Sequence, residues 1–468
     1  MIALFTPLFA ALMSISIVNV ALPAIEEGLG ARSSDLQWVL SGYALAFGVA
    51  LVPAGRAGDL WGRRRFFLMG VALFGAASLL AALSPTPMLL NLSRVLMGVG
   101  AGLLTPQIIG MIQRLFSGAA RGRAYGLMST VIGVAIAAGP AIGGLIIDTV
   151  GEDLGWRLTF MINVPVMLLA FLIAALWLPA PPEGNGPSRR GLSALDPLGV
   201  VMLSTAVVLL MLPFIQFRTA LGVGLAAVGL VLMVLWTMWE RRLGQRSPEA
   251  PMVNLTLFTR PSYTLNTLVL SLYFSGMPAV WAIVAVYVQQ GLGHGALIAG
   301  IVTLPSAVMV MLLSAQVGRR VERIGPQMLV VGTSIAVLSM LALAGATALM
   351  TTEHGSLWLI AAALGLNGLS QALIIPSAQT LSMQDVPHPM AGAAGGVAQT
   401  AQRLFTAMGI AVVTAVYFTV TAGSDHHAGV VVGSLTIAGF MLTAVVAALF
   451  AARRARRSLV QSTVSAGA

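Results

Sequence analysis

The chain has 468 residues, of which 58% are hydrophobic and only 9% charged. All 25 of its basic residues are Arg, set against 15 Asp and Glu for a formal net charge of +10, and it contains no Cys. Soluble domains carry about 25% charged residues, so this composition excludes a water-soluble globular enzyme, and the missing Cys exclude disulfides, thiol catalysis and Cys-ligated metals.

A helix needs about 20 mostly apolar residues to cross the hydrocarbon layer. In chain order that rule predicts spans near 2–23, 38–57, 66–84, 87–112, 125–147, 158–178, 197–215 and 220–239. The series continues near 262–289, 296–317, 327–349, 356–382, 393–420 and 430–452, making 14 in all. The first begins at Met1 without a preceding Arg. It therefore lacks the positively charged start of a secretory signal, and the loop at 56–65 must set its orientation.

Arginine placement fixes the side. Arg56, Arg63 to Arg65, Arg114, Arg121, Arg123, Arg189 and Arg190 fall in one set of loops, as do Arg241, Arg242, Arg246, Arg260, Arg319, Arg320 and Arg323. The tail adds Arg453, Arg454, Arg456 and Arg457, while the opposite loops hold Arg32, Arg157 and Arg218. This bias predicts that the Arg-rich loops and both termini are cytoplasmic. The positive charge thus reads as topology, with no nucleic-acid partner, and the lipid bilayer is the expected surroundings.

Two loops repeat. Gly55-Arg56-Ala57-Gly58-Asp59-Leu60-Trp61-Gly62 followed by Arg63, Arg64 and Arg65 matches Gly318-Arg319-Arg320-Val321-Glu322-Arg323-Ile324-Gly325 in the order Gly, acid, Gly. The first follows span two and the second span ten. Treating 197–215 and 220–239 as an insertion makes both the second loop of a six-span half. The domain plan is a first bundle at 1–178, a linker with two extra spans at 179–261, a second bundle at 262–452 and a basic tail at 453–468. Internal repeats of this kind mark many secondary transporters, with the substrate site between the halves.

Within the first half, Asp59 beside Arg63 and Arg64 suits charge-assisted bonds that form in one conformational state and break in another; Glu322 is its counterpart in the repeat. In span four Arg94 lies about two turns in from the external end, an expensive place for a charge that is generally used for function. In span five Gly139 and Gly143 present a small face for close helix packing, and Pro140 favours a kink.

This order of motifs resembles the major facilitator superfamily, and within it the fourteen-span drug:proton antiporters. The resemblance covers nearly the whole chain. It rests on Ile17 to Pro23 around Asn19, the Gly55–Arg65 loop, Arg94 to Gly98, Gly139-Pro140 with Gly143-Gly144, and Trp156-Arg157 leading to Asn163-Val164-Pro165. It implies an all-α polytopic fold of two six-helix bundles plus two extra helices, 14 spans in total. It further implies a conformational latch at Gly55, Asp59, Gly62, Arg63, Arg64 and Glu322, a proton-coupling role for Arg94, and an antiporter signature at Gly139, Pro140, Gly143 and Gly144.

The chain departs from the family at two points. Met13 stands where that family often has an Asp, and Met97 where it often has Gln. All 15 acids lie toward the ends of spans or in loops, and the five His, at 294, 354, 388, 426 and 427, are read as loop residues. Asp148, closing span five, is the acid nearest the membrane on the external side and the candidate proton carrier. The interior instead offers Asn19, Gln107, Tyr273, Trp281, Asn367, Gln371, Gln399 and Arg403, a set suited to neutral or anionic amphiphiles.

The reading is therefore a non-enzymatic exporter of amphipathic small molecules in the cell's inner membrane, using protons and alternating access and requiring no cofactor or metal. A lipid or metabolite exporter and a non-transporting sensor with the same fold are the alternatives. No GxxxxGK[ST] loop is present to bind ATP.

Overall fold

A computed structural model describes residues 1–179, 191–215, 220–247, 250–351 and 355–466; the side chains of a few of these, Glu322 among them, lie outside the described set. Fifteen α-helices follow one another: α1 (Ile2–Leu29), α2 (Ser33–Trp61), α3 (Arg63–Ala82), α4 (Pro87–Leu115) and α5 (Gly118–Val150), then α6 (Glu152–Met161) and α7 (Asn163–Trp177). An inserted pair comes next, α8 (Pro197–Ile215) and α9 (Ala220–Arg246). The rest are α10 (Pro261–Val286), α11 (Ala296–Ile324), α12 (Gln327–Leu349), α13 (Leu357–Met383), α14 (Ala391–Gly423) and α15 (His426–Ala466). Counting α6 and α7 together, 14 helical segments are long and apolar enough to cross a membrane, as the composition predicts, and no strand occurs among the described residues.

Many helix ends run beyond the sequence expectation: α5 opens at Gly118 rather than 125, and α9 and α11 end at Arg246 and Ile324 rather than 239 and 317. The sixth span, expected at 158–178, starts at Glu152 and breaks between α6 and α7 at Ile162. Pro165 has no N–H to give to the carbonyl four residues back, which opens the helix at that turn. Arg157, expected in a loop, lies in α6 and donates to the carbonyls of Ala82 (3.0 Å) and Ser84 (2.7 Å), closing the end of α3. The last helix does not stop at 452 but runs on to Ala466, because no Gly or Pro interrupts the sequence before Gly467 and Arg suits a helix C-terminus.

The repeat is visible in the backbone. Gly62 joins α2 to α3 at φ +102°, and Gly325 joins α11 to α12 at φ +66°. Both are positive-φ turns that L side chains enter only with strain.

The chain forms two compact units. The first comprises Met1–Leu115, Val131–Leu255 and Pro387–Thr400; the second comprises Phe116–Thr130, Thr256–Val386 and Ala401–Ala468. In the first, α2 packs along α4, α3 along α4 and α7, and the inserted α8 against α2 and α9. In the second, α11 lies along α13, α12 along α13 and α15, and α10 along α15. The core of the second unit includes Tyr273, Tyr287, Leu343, Leu364 and Tyr417, all essentially buried. Two helices are shared: α5 opens in the second unit and ends in the first, and α14 does the reverse.

Candidate functional site

In the first unit the repeated loop is closed by a short hydrogen-bonded system. Asp59, in the last turn of α2, has a side chain only 1% exposed. Its Oδ1 accepts from Arg63 Nη2 at 2.7 Å and Nε at 3.0 Å. The same oxygen accepts from the Gly392 N–H at 3.1 Å, and Oδ2 accepts from the Ala393 N–H at 2.9 Å. The carboxylate thus covers the first turn of α14, where orphan N–H groups and the helix dipole favour negative charge. Arg63 also donates to the carbonyls of Gly110 and His388. One ion pair therefore links α2, α4 and the entry to α14.

Glycine makes this approach possible. A Cβ on Gly55 would stand 2.2 Å from the Gly392 carbonyl oxygen, and one on Gly392 would stand 2.5 Å from the Gly55 oxygen. The same reciprocal contact recurs in the second unit between Gly318 on α11 and Gly122 on α5, with Cβ-to-oxygen distances of 2.1 and 2.0 Å. Gly318 is the repeat counterpart of Gly55, so the motif builds two glycine crossings of one kind, each inside its own unit. Arg64 is engaged separately, donating to the Ala175 carbonyl on α7. The side chain of Glu322 lies outside the described residues.

Arg94 on α4 is 1% exposed. Its Nε donates to the Val39 carbonyl at 2.8 Å, its Nη1 donates to Ser14 Oγ at 3.3 Å and meets Met97 Sδ at 4.0 Å. The guanidinium lies 4.4 Å from the centre of the Tyr43 ring and 5.9 Å from that of Phe160. Among the described residues no carboxylate pairs with it. A buried cation is thus stabilised by a carbonyl, a hydroxyl and π faces alone, with Met13, in the family's acidic position, also buried.

On α5, Gly139 and Gly143 face α1: Cβ atoms there would stand 2.0 Å from Ser16 Oγ and 2.7 Å from Ile17 Cγ1. Pro140 is exposed, and Gly144 meets nothing within 4 Å. Asp148 is exposed near the end of α5, and neither a hydrogen bond nor an ion pair joins it to Arg94.

The interior polar residues divide between the units. In the first, Gln107 is fully buried and its Nε2 donates to the Ala54 carbonyl at 2.7 Å, tying α4 to α2. Asn19 is exposed and bonds back to the carbonyls of Ile15 and Ser16 on its own helix, while Gln399 is buried. In the second unit Tyr273 and Asn367 are buried, and Asn367 Oδ1 has no hydrogen-bond partner. Trp281, Gln371 and Arg403 are half-buried there.

Several groups escaped the sequence reading. Ser14, Val39 and Tyr43 build the cradle of Arg94, and Gly392 with Ala393 receives Asp59. The small-residue run Ala391 to Gly396 was the available signal for the second of these. His426 and His427, read as loop residues, instead open α15; their Nδ1 atoms share 2.8 Å hydrogen bonds with the hydroxyls of Tyr417 and Tyr287 respectively.

The chain is similar to known proteins over most of its length. The chain is 30% identical over 415 residues to the probable actinorhodin transporter of Streptomyces coelicolor, covering 86% of this chain and 69% of that one. It is 30% identical over 418 residues to the multidrug resistance protein Stp of Mycobacterium tuberculosis, covering 87% and 74%. It is 29% identical over 413 residues to the multidrug efflux pump LfrA of Mycolicibacterium smegmatis, covering 86% and 77%. Among solved structures, the proton:xylose symporter XylE superposes with a TM-score of 0.66 at 15% identity, covering 96% of this chain and 94% of that one. The human organic anion transporter MFSD10 gives 0.64 at 16% identity, covering 95% and 98%. These two share the fold. The profile of the Major Facilitator Superfamily matches residues 4–410, and with 14 apolar helices this multi-pass membrane protein belongs to that superfamily of transporters.

Proposed function

We propose that the chain exports hydrophobic or amphipathic small molecules from the cytoplasm across the cell's inner membrane, by proton antiport and alternating access. The observation that carries this reading is the Asp59–Arg63 pair closed over the start of α14. A carboxylate bonded to two backbone N–H groups and one guanidinium is a contact that is either whole or broken, the kind of element that biases a two-state equilibrium. The names of the relatives, which include multidrug and antibiotic efflux proteins, support the substrate class. The arginine bias supports a cytoplasmic position for this loop and for both termini.

Substrate preference follows from Arg94. A buried guanidinium without a paired acid gives the first unit an uncompensated positive charge, which favours neutral and anionic amphiphiles over permanent cations. Asp148, the acid nearest the outer end of α5, is the proton acceptor in this reading, and Asn19, Tyr273, Trp281, Asn367, Gln371, Gln399 and Arg403 contribute polar and aromatic groups to substrate.

Flux into inside-out vesicles tests the proposal. With an imposed pH gradient, a neutral or anionic amphiphile should accumulate, and collapsing the gradient should stop it. Accumulation led by ethidium or a quaternary ammonium would overturn the charge argument. The absence of flux for any ligand that binds would overturn the transporter reading.

A further inference from the structure

The inserted pair α8–α9 carries two acids that no step above uses. Asp196 immediately precedes α8, adopts φ +53°, the one positive value outside glycine among the described residues, and is 5% exposed. The Trp239 indole donates to both of its carboxyl oxygens, at 3.1 and 3.0 Å. Glu240, the next residue of α9, is 1% exposed. Its Oε2 accepts from the Val253 N–H at 3.4 Å, and its Oε1 is buried without a hydrogen-bond partner. The Trp236 indole N–H, one turn earlier on α9, is buried beside Glu240.

Gly199 brings the two carboxyls together. A Cβ there would lie 2.0 Å from Asp196 Oδ2 and 3.1 Å from Glu240 Oε1, and the sum of these distances bounds the separation of the oxygens. Among the described residues no cation is within ion-pair distance of either carboxyl. The preceding turn Leu192–Leu195, α8 and residues 250–255 contain no charged side chain. On α9, Arg241, Arg242 and Arg246 are exposed. On α2, which packs against α8, Asp59 is bound to Arg63, and Arg56 is also engaged. Among the described residues neither acid takes part in an ion pair.

Two buried carboxylates this close cannot both remain charged without a cation, and one proton between them resolves the conflict. The indole N–H shared by both Asp196 oxygens marks that carboxyl as the acceptor, which leaves Glu240 Oε1 as the oxygen that carries the proton and donates. We propose that Asp196 and Glu240 form a proton-binding site, and that the bound proton fastens residues 250–255, the segment leading to α10, onto α9. When the proton leaves, Glu240 has to turn toward water, and the Val253 bond opens. The attachment is therefore present at low pH and lost as the proton leaves with rising pH.

The full-length protein in lipid nanodiscs provides the test. Infrared spectroscopy near neutral pH should show the C=O stretch of a buried protonated carboxyl, and Glu240→Gln should remove it. Amide hydrogen exchange over 250–255, corrected for the chemical rate, should rise by about tenfold between about pH 6 and about pH 9. Glu240→Gln, which keeps the shape of a protonated side chain, should leave that exchange slow and flat with pH. Asp196→Asn should retain the step and move its midpoint to lower pH by removing the neighbouring charge. The proposal fails if the protonated carboxyl is absent in the unmodified protein, if protection does not depend on pH, or if Asp196→Asn leaves the midpoint in place. It also fails if sodium or calcium restores protection at high pH, for the pair would then be a metal site.

Discussion

Asp59 is a carboxylate removed from water and repaid by one guanidinium and two backbone N–H groups. Removing one partner of such a buried pair costs about 3–5 kcal/mol, because the other charge is left uncompensated. Asp59→Asn should therefore depopulate the conformer in which the pair is closed by about two to three and a half orders of magnitude. The checkable result is a loss of substrate flux at unchanged abundance in the membrane. Arg94 lends itself to the converse experiment. Ser14 Oγ sits 3.3 Å from Nη1, so Ser14→Asp places an acid against the guanidinium. Anionic substrates should then be transported several-fold less well and quaternary ammonium compounds better, as read in resistance profiles or vesicle flux. Arg94→Lys should not substitute for the native residue, because an ammonium cannot both stack on Tyr43 and keep the bond to Val39.

Among the elements, the spans themselves follow from sequence because a run of about 20 apolar residues has few other fates. The repeat of Gly, acid and Gly likewise announced two equivalent turns, and Gly62 and Gly325 make them with positive φ. What stayed hidden was partnership. Asp59 and Gly392 are far apart in sequence, and nothing local in the acid's surroundings names the helix it covers. Gln107 reads equally well as a ligand contact or a tie, and only its bond to Ala54 distinguishes the tie. Helix ends were hidden for a different reason: hydropathy reports where charge begins, whereas α15 continues through its arginines because their backbone propensity is good. At this scale Gly55→Val and Gly318→Val should act alike. Each forces apart a backbone crossing that has no room for a side chain, at a cost of about 1–3 kcal/mol. Both should lower the melting temperature of the purified protein and reduce transport, whereas valine at Gly439, which meets nothing within 4 Å, should do neither.

For the whole molecule the scarcity of acids is the governing fact. With 15 acids in 468 residues and, among the described residues, none paired with the buried Arg94, the candidates for a coupled proton are few. If Asp148 carries it, Asp148→Asn should abolish accumulation driven by a pH gradient while sparing downhill flux, measured in the same vesicles. Survival of driven flux would move the search elsewhere. The extra helices extend this argument: α8, paired with α9, packs on α2 and so can report to the proposed latch. The glycine crossings also bear on how the gene can drift. Any missense change that a single base substitution can produce from a glycine codon adds side-chain atoms. Codons 55, 122, 318 and 392 therefore have no conservative neighbour. A library of random point variants selected for growth in the presence of a transported compound should come back with those codons altered only synonymously.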